Sequence, residues 1–165
     1  TPTVHRILIV VGFSEMNDVR KRVAEEAKKK GYELGSFIHE SVIIHDDVKI
    51  GENTIILDQV AIHPGSTIGD NTFIASNVSI GHDCHICANN WINSGVSMGG
   101  YCKVGEGSFF GVNATLSDAV SIGKKCFIGA NTLINKDTGD ETVYISEAGQ
   151  LFPMKSSRFL KFISK

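Results

Sequence analysis

The chain has 165 residues, 42% of them hydrophobic, and a formal net charge of −2. That length suits one fair-sized domain or one domain with an appendage, with enough apolar residues for a core. A near-neutral balance without a basic stripe excludes nucleic acid as the main partner, and no apolar run approaches the ~18 residues that span a bilayer. Neither a membrane partner nor a signal peptide is expected. Four cysteines do not make a disulfide framework, so the expected compartment is the cytoplasm. The chain opens on Thr1 rather than Met, which points to residues lost ahead of it.

Val4 to Val11 reads as a buried strand of the parallel type. Gly12-Phe13-Ser14 then leads into a helix of roughly Asn17 to Lys30, with Asn17 as N-cap and Gly31 at the stop. The charged run from Arg20 to Lys30 reads as that helix's solvated face. Leu34 to Phe37 reads as a further strand, so residues 1–37 form a partial α/β segment.

From Ile38 onward a six-residue period takes over. Stepping by six reaches Ile44, Ile50, Ile56, Ile62, Ile68, Ile74, Ile80, Ile86, Ile92, Met98, Val104, Phe110, Leu116, Ile122, Ile128 and Ile134, all large and apolar. Four residues after these anchors come small or β-branched residues, Asn90 excepted, and glycine follows many of them directly. Neither a helix nor a flat strand has this period. It arises when a short strand and a tight turn alternate, winding the chain round a three-sided prism with 18 residues per coil. The large residues fill the prism, the small ones fit near its corners, and the glycines ease the turns. About five coils over residues 38–137 give a parallel β-helix ~25 Å tall. Beyond it, residues 138–165 read as a C-terminal cap, with a short helix at Ser156 to Ile163 whose Phe159, Leu160 and Phe162 close the open end.

Residues 18 apart stack, so Gly100 lies over His82, which follows Ile80 at a corner. A histidine titrates near neutrality and can take a proton from an attacking amine or hydroxyl. Asp83 beside it is a candidate to fix the tautomer and raise its basicity. A free N–H at Gly100 is a candidate donor to a developing oxyanion. By spacing alone, a solvated surface pair remains the competing reading of His82 and Asp83.

The hexad array with Gly81-His82-Asp83-Cys84 resembles the hexapeptide-repeat acyltransferases. It is most similar to the bacterial group of nucleotide-sugar N-acetyltransferases and sialic acid O-acetyltransferases. The resemblance runs from Leu8 to about Ile134 and includes Gly12, Asn17 and Arg20, the Gly31-Tyr32 turn and Ile38-His39. It implies a left-handed, mainly β fold and a homotrimer with acetyl-CoA as co-substrate, lying in a groove between subunits. It also implies His82 as base, Asp83 as its partner, Gly100 on the thioester carbonyl, and Val112 and Ala130 on the coenzyme arm. Where the family carries a second histidine this chain has Trp91, which can pack on the pantetheine arm or donate its N–H. Most of the family's nucleotide-sugar domain is missing, and Ile145-Ser146-Glu147-Ala148 replaces its C-terminal turn. Gly12 and Asn17 fall to the acceptor's nucleotide, and His63, read against a metal role, is a candidate to line the acceptor pocket. The activity implied is acetylation of a nucleotide-linked amino-deoxysugar for surface polysaccharide or glycan synthesis. The alternatives are O-acetylation of a sugar, transfer of another acyl group, or a non-catalytic trimeric scaffold.

Two rival readings concern metals. Cys84-His85-Ile86-Cys87 has zinc-like spacing, yet Cys84, Cys102 and Cys126 all occupy the inward small-residue position and read as structural thiols. His45 and His63 stack below Gly81 and resemble part of the zinc site of γ-class carbonic anhydrases, but the accompanying acidic and glutamine residues are missing. No metal is expected.

Overall fold

The computed structural model describes residues 5–163. A small N-terminal unit comes first. Strand β1 (Arg6–Ile7) pairs in parallel with β2 (Glu33–Leu34), and α1 (Asp18–Lys29) connects them. Two-residue strands then recur every six residues, from β3 (Phe37–Ile38) to β19 (Leu133–Ile134). They stack into three parallel sheets, of which one gains a seventh strand at β20 (Val143–Tyr144). The other two hold six and five strands, so the left-handed prism winds through about six coils. Every pairing joins residues 18 apart, as in Trp91 with Phe109 and Ile92 with Phe110, up to the last coil. Helix α2 (Ser156–Ile163) follows.

The anchors form the core. Ile56, Ile62, Ile74, Ile80, Ile86, Ile92, Phe110 and Ile128 are fully buried, with Val60, Val96, Cys102 and Cys126 filling the corners between them. Each coil thus covers the apolar side chains of its neighbours. The first coil has a neighbour on one side only, and Ile38 remains 42% exposed.

The glycines act differently from the expectation. The left-handed corner residue is three places after the anchor and is more often asparagine than anything else: Asn53, Asn71, Asn77, Asn89, Asn113 and Asn131 have φ between 52° and 62°. Asparagine tolerates that conformation because its short side chain bonds locally. Glycine directly after the anchor serves close approach instead. A Cβ at Gly81 would lie 2.6 Å from the Gly100 nitrogen one coil above.

The N-terminal unit is smaller than expected. Of the strand expected from Val4 to Val11, only Arg6–Ile7 pairs and only Ile9 is buried, while Val10 is 75% exposed; Val4 lies outside the described residues. A single partner strand and one helix cannot bury a whole apolar run. The expected strand from Leu34 to Phe37 divides between two sheets, β2 and β3, with Gly35 and Ser36 between them. Gly31 does end α1 at φ 84°. Asn17 is no side-chain N-cap: it is itself left-handed at φ 69°, its N–H reaches the Phe13 carbonyl, and its side chain donates to the Ser108 carbonyl.

Arg20 corrects the reading of the helix's charged face. It is only 1% exposed, clamped into the asparagine corner of the prism. Its guanidinium donates to the Asn71 side-chain oxygen (3.0 Å) and to the Asn53 carbonyl (2.9 Å). Burial lowers its pKa to about 10, so it stays charged at neutral pH. Lys21–Glu106, Lys28–Glu52 and Lys125–Asp18 ion pairs surround it, each near half-exposed and so worth little singly.

Helix α2 has the expected span but does not cap the prism, since Phe159, Leu160 and Phe162 are 38%, 57% and 69% exposed. The end is closed by a partial coil. There the Asp137, Thr138 and Asp140 side chains accept from the N–H groups of Ser121, Gly123 and Lys124, and the Cys126 thiol donates to the Gly139 carbonyl. These contacts satisfy donors that the next full coil would otherwise take.

Candidate functional site

His82 and Asp83 occupy the corner between β10 (Ser79–Ile80) and β11 (His85–Ile86). The backbone there is tied to both neighbouring coils: Asp83 N–H donates to the Pro64 carbonyl, and Tyr101 N–H to the His82 carbonyl, each at 2.8 Å. Asp83 is left-handed at φ 55°, which turns its carboxylate back to His82 Nδ1 at 2.9 Å. Both side chains are about half exposed. With Nδ1 held by the carboxylate, Nε2 carries the free lone pair, and it points over the bare Cα of Gly100. A Cβ there would lie 2.6 Å from Nε2. Gly65, one coil below, likewise has no side chain where the Asp83 carboxylate sits. The Tyr101 ring packs edge-on against His82, with centroids 4.8 Å apart.

The Gly100 N–H is not the free donor expected from the spacing. It donates to Asp118 Oδ1 at 2.8 Å, because the aspartate one coil above lies within reach of the corner amide. What Gly100 provides here is room beside Nε2. Asp118, Tyr101 and Gly65 all escaped the sequence reading, although each lies 18 residues from Gly100 or Asp83, so extending the column would have reached them.

The residues expected at the coenzyme lie on a different edge. Val112 and Ala130 are exposed at the corner after β15 (Phe109–Phe110) and β18 (Phe127–Ile128). They line an open groove of about 570 Å³ with Asn93, Phe109, Gly111, Phe127, Gly129, Ile145 and Ser146. Among the described residues no acceptor is bonded to the Val112 or Ala130 N–H. One whole sheet separates this edge from His82, so a single chain does not bring the two together. Trp91 belongs to a third arrangement. It stacks on Phe73 (4.0 Å) and meets Phe13 (5.7 Å) in an aromatic column with Phe109 and Phe127, while its indole N–H donates to Asn93 Oδ1. Its ring stacks and its N–H is bonded within the chain, while Asn93 and Phe109 beside it line the Val112 groove.

Of the expected acceptor residues, Gly12 is exposed with open space around it, and Asn17 is 1% exposed beneath the N-terminal loop. His63 is exposed on the His82 edge and stacks on His45 at 5.9 Å. Gly12 and Asn17 therefore lie apart from His63. No cluster of three or more His, Cys, Asp or Glu side chains suits a metal among the described residues. Cys84, Cys102 and Cys126 are buried in the prism, as their inward position implies, and only Cys87 reaches the surface in part. The Cys84 thiol is pushed up by its hydrogen bond with Cys102 and by burial.

Residues 47–82 match the family model of bacterial transferase hexapeptides, and residues 101–136 that of the hexapeptide repeat of succinyl-transferase. Fold and repeats together define a left-handed hexapeptide-repeat β-helix. More particularly, the chain is similar to perosamine N-acetyltransferase from Caulobacter crescentus, solved as a histidine mutant with CoA and GDP-perosamine. The TM-score is 0.82 at 28% identity, covering 86% of this chain and 66% of that one. It is also similar in fold to the acetyltransferase domain of PglB from Neisseria gonorrhoeae, solved in complex with acetyl coenzyme A. There the TM-score is 0.82 at 24% identity, covering 87% and 68% of the two chains. The chain thus spans just under two thirds of the perosamine enzyme's length. No curated protein sequence matches it.

Proposed function

We propose that this chain is an acetyl-CoA-dependent acetyltransferase acting on the amino group of a nucleotide-linked amino-deoxysugar. It works as a cytoplasmic homotrimer in the synthesis of surface polysaccharide or glycan. The observation that carries this is the His82–Asp83 pair, with Nδ1 held by a carboxylate and Nε2 open over a glycine. Similarity to an N-acetyltransferase solved with CoA and GDP-perosamine supports the choice of donor and of an amine acceptor.

In the proposed reaction His82 Nε2 accepts the proton that the sugar amine loses as its nitrogen attacks the thioester carbonyl carbon. Asp83 keeps the proton on Nδ1 and stabilises the imidazolium that forms. The tetrahedral intermediate collapses, the C–S bond breaks, and the proton held on His82 passes to the departing CoA sulfur. The amide and free CoA are the products. The Val112 and Ala130 N–H groups are free to hold the amides of the pantetheine arm. Because they lie one sheet away from His82, the site needs the Val112 edge of one copy beside the His82 edge of the next. This supports a trimer with three equivalent grooves.

The test is thiol release from acetyl-CoA with GDP-perosamine and other nucleotide-linked amino sugars, for the wild type and His82→Ala. General-base assistance predicts a rate lower by ~10²–10⁴-fold in the variant, with CoA binding retained. Equal rates in the two proteins remove His82 as the base, and absence of CoA binding removes the acetyltransferase reading.

A further inference from the structure

The tail beyond the β-helix is the part that neither the core nor the edges explain. Leu151 and Phe152 are 95% and 60% exposed, and α2 presents Phe159 and Phe162 at 38% and 69%. The Phe152 and Phe159 rings meet edge-on at 5.5 Å and, with Met154 and Ser156, line an apolar hollow of about 410 Å³. At 100° per residue, Phe159, Leu160 and Phe162 share one side of α2, while Ser157, Arg158 and Lys161 share the other. From Ala148 to Lys165 the basic residues are Lys155, Arg158, Lys161 and Lys165, and there is no Asp or Glu, in a chain whose net charge is −2.

We infer that α2 and the Leu151–Met154 turn before it dock on an anionic phospholipid surface. The apolar side lies among the upper acyl chains and the basic side among the phosphates. Phenylalanine and leucine opposite lysine and arginine, in a short element, is the composition of a helix that lies in the interface plane. No helix of the described residues is long and apolar enough to cross a bilayer, so the tail rests on the surface rather than spanning it. Charge complementarity points to the lipid surface. The tail concentrates positive charge beside its apolar face, and an anionic bilayer offers apolar and negative surface together. This inference does not depend on the acetyl-transfer reading.

The experiment is co-sedimentation of the full chain with vesicles of phosphatidylcholine alone and of phosphatidylcholine mixed with phosphatidylglycerol, with the oligomer mass measured in parallel. Expected is binding to the mixed vesicles only, weakened by salt. Replacing each of Lys155, Arg158 and Lys161 by Ser should lower affinity roughly fivefold per charge. Phe159→Ser with Phe162→Ser should lower it by at least about tenfold. These residues are exposed, so an unchanged melting curve verifies that the variants fold. Binding equal on neutral and anionic vesicles, binding unaffected by the Phe variants, or no binding together with a smaller oligomer in the Phe variants would each overturn the inference. The last outcome assigns the apolar face to a neighbouring copy.

Discussion

Replacing Gly100 by alanine tests the geometry of the proposed base with a single methyl group. An alanine Cβ would stand 2.6 Å from His82 Nε2, 2.9 Å from Cε1 and 3.0 Å from Cδ2, whereas ordinary contact begins near 3.4 Å. The imidazole must therefore retreat by about 0.8 Å or swing off the Asp83 carboxylate. A misplacement of ~1 Å at a reacting group costs on the order of 10²-fold in rate, so kcat/KM for thiol release should fall by about a hundred. Stability should change little. The Gly100 backbone is not left-handed, and its N–H keeps the bond to Asp118. The assay is steady-state CoA release beside a thermal melt of the same preparation. A rate within threefold of wild type, at unchanged melting temperature, would refute the argument that Nε2 works in the space above Gly100. A lower rate with an equally lowered melting temperature would show a folding defect instead.

The remaining predictions concern the scaffold. Arg20→Ala strips the Asn71 side chain and the Asn53 carbonyl of a buried charged donor, at a cost of about 3 kcal/mol to the docking of α1. Limited proteolysis in the exposed Gly12–Glu15 loop should speed up roughly a hundredfold while the β-helix stays intact. Phe110→Ala empties a fully buried anchor in the middle of the stack and should lower unfolding free energy by about 3–5 kcal/mol in a denaturant titration. Of the four thiols only Cys87 is partly exposed, so a disulfide reagent should label one per native chain and all four after unfolding. Acid should loosen α1. Lys21 holds the Glu106 carboxyl below its ordinary value of 4.5, so this pair's stabilisation is present above that value and is lost as pH falls below it through the carboxyl's lowered one. Faster proteolysis of the N-terminal unit at pH 4 than at pH 7, under an acid-active protease corrected for its own pH profile, would show it.

The sequence by itself determined the periodic part of this protein. The run of anchors from Ile38 to Ile134 prescribes the hexad, and the hexad prescribes that residue i lies under i+18. Burial of Ile80 and Phe110, the inward thiols, and Gly100 over His82 all follow from counting, because in a solenoid each residue's neighbours are a fixed distance along the chain. Stopping the count at Asp137 missed the last partial coil, where Thr138 and Asp140 substitute for a hexad. Tertiary structure decided whatever meets the prism from outside the repeat. Arg20 sits in a charged run like its neighbours, and only the docking of α1 against the asparagine corner buries it. Trp91 stacks on Phe73 by the 18-residue count, but Phe13, which arrives from a distant loop to join that aromatic column, lies outside any count. Gly100 N–H went to Asp118 because several acceptors compete for one amide, and proximity in three dimensions settles that competition. The separation of the His82 edge from the Val112 edge has the same origin. Eighteen-residue arithmetic stacks residues along an edge, but which edges face each other depends on the packing of whole prisms.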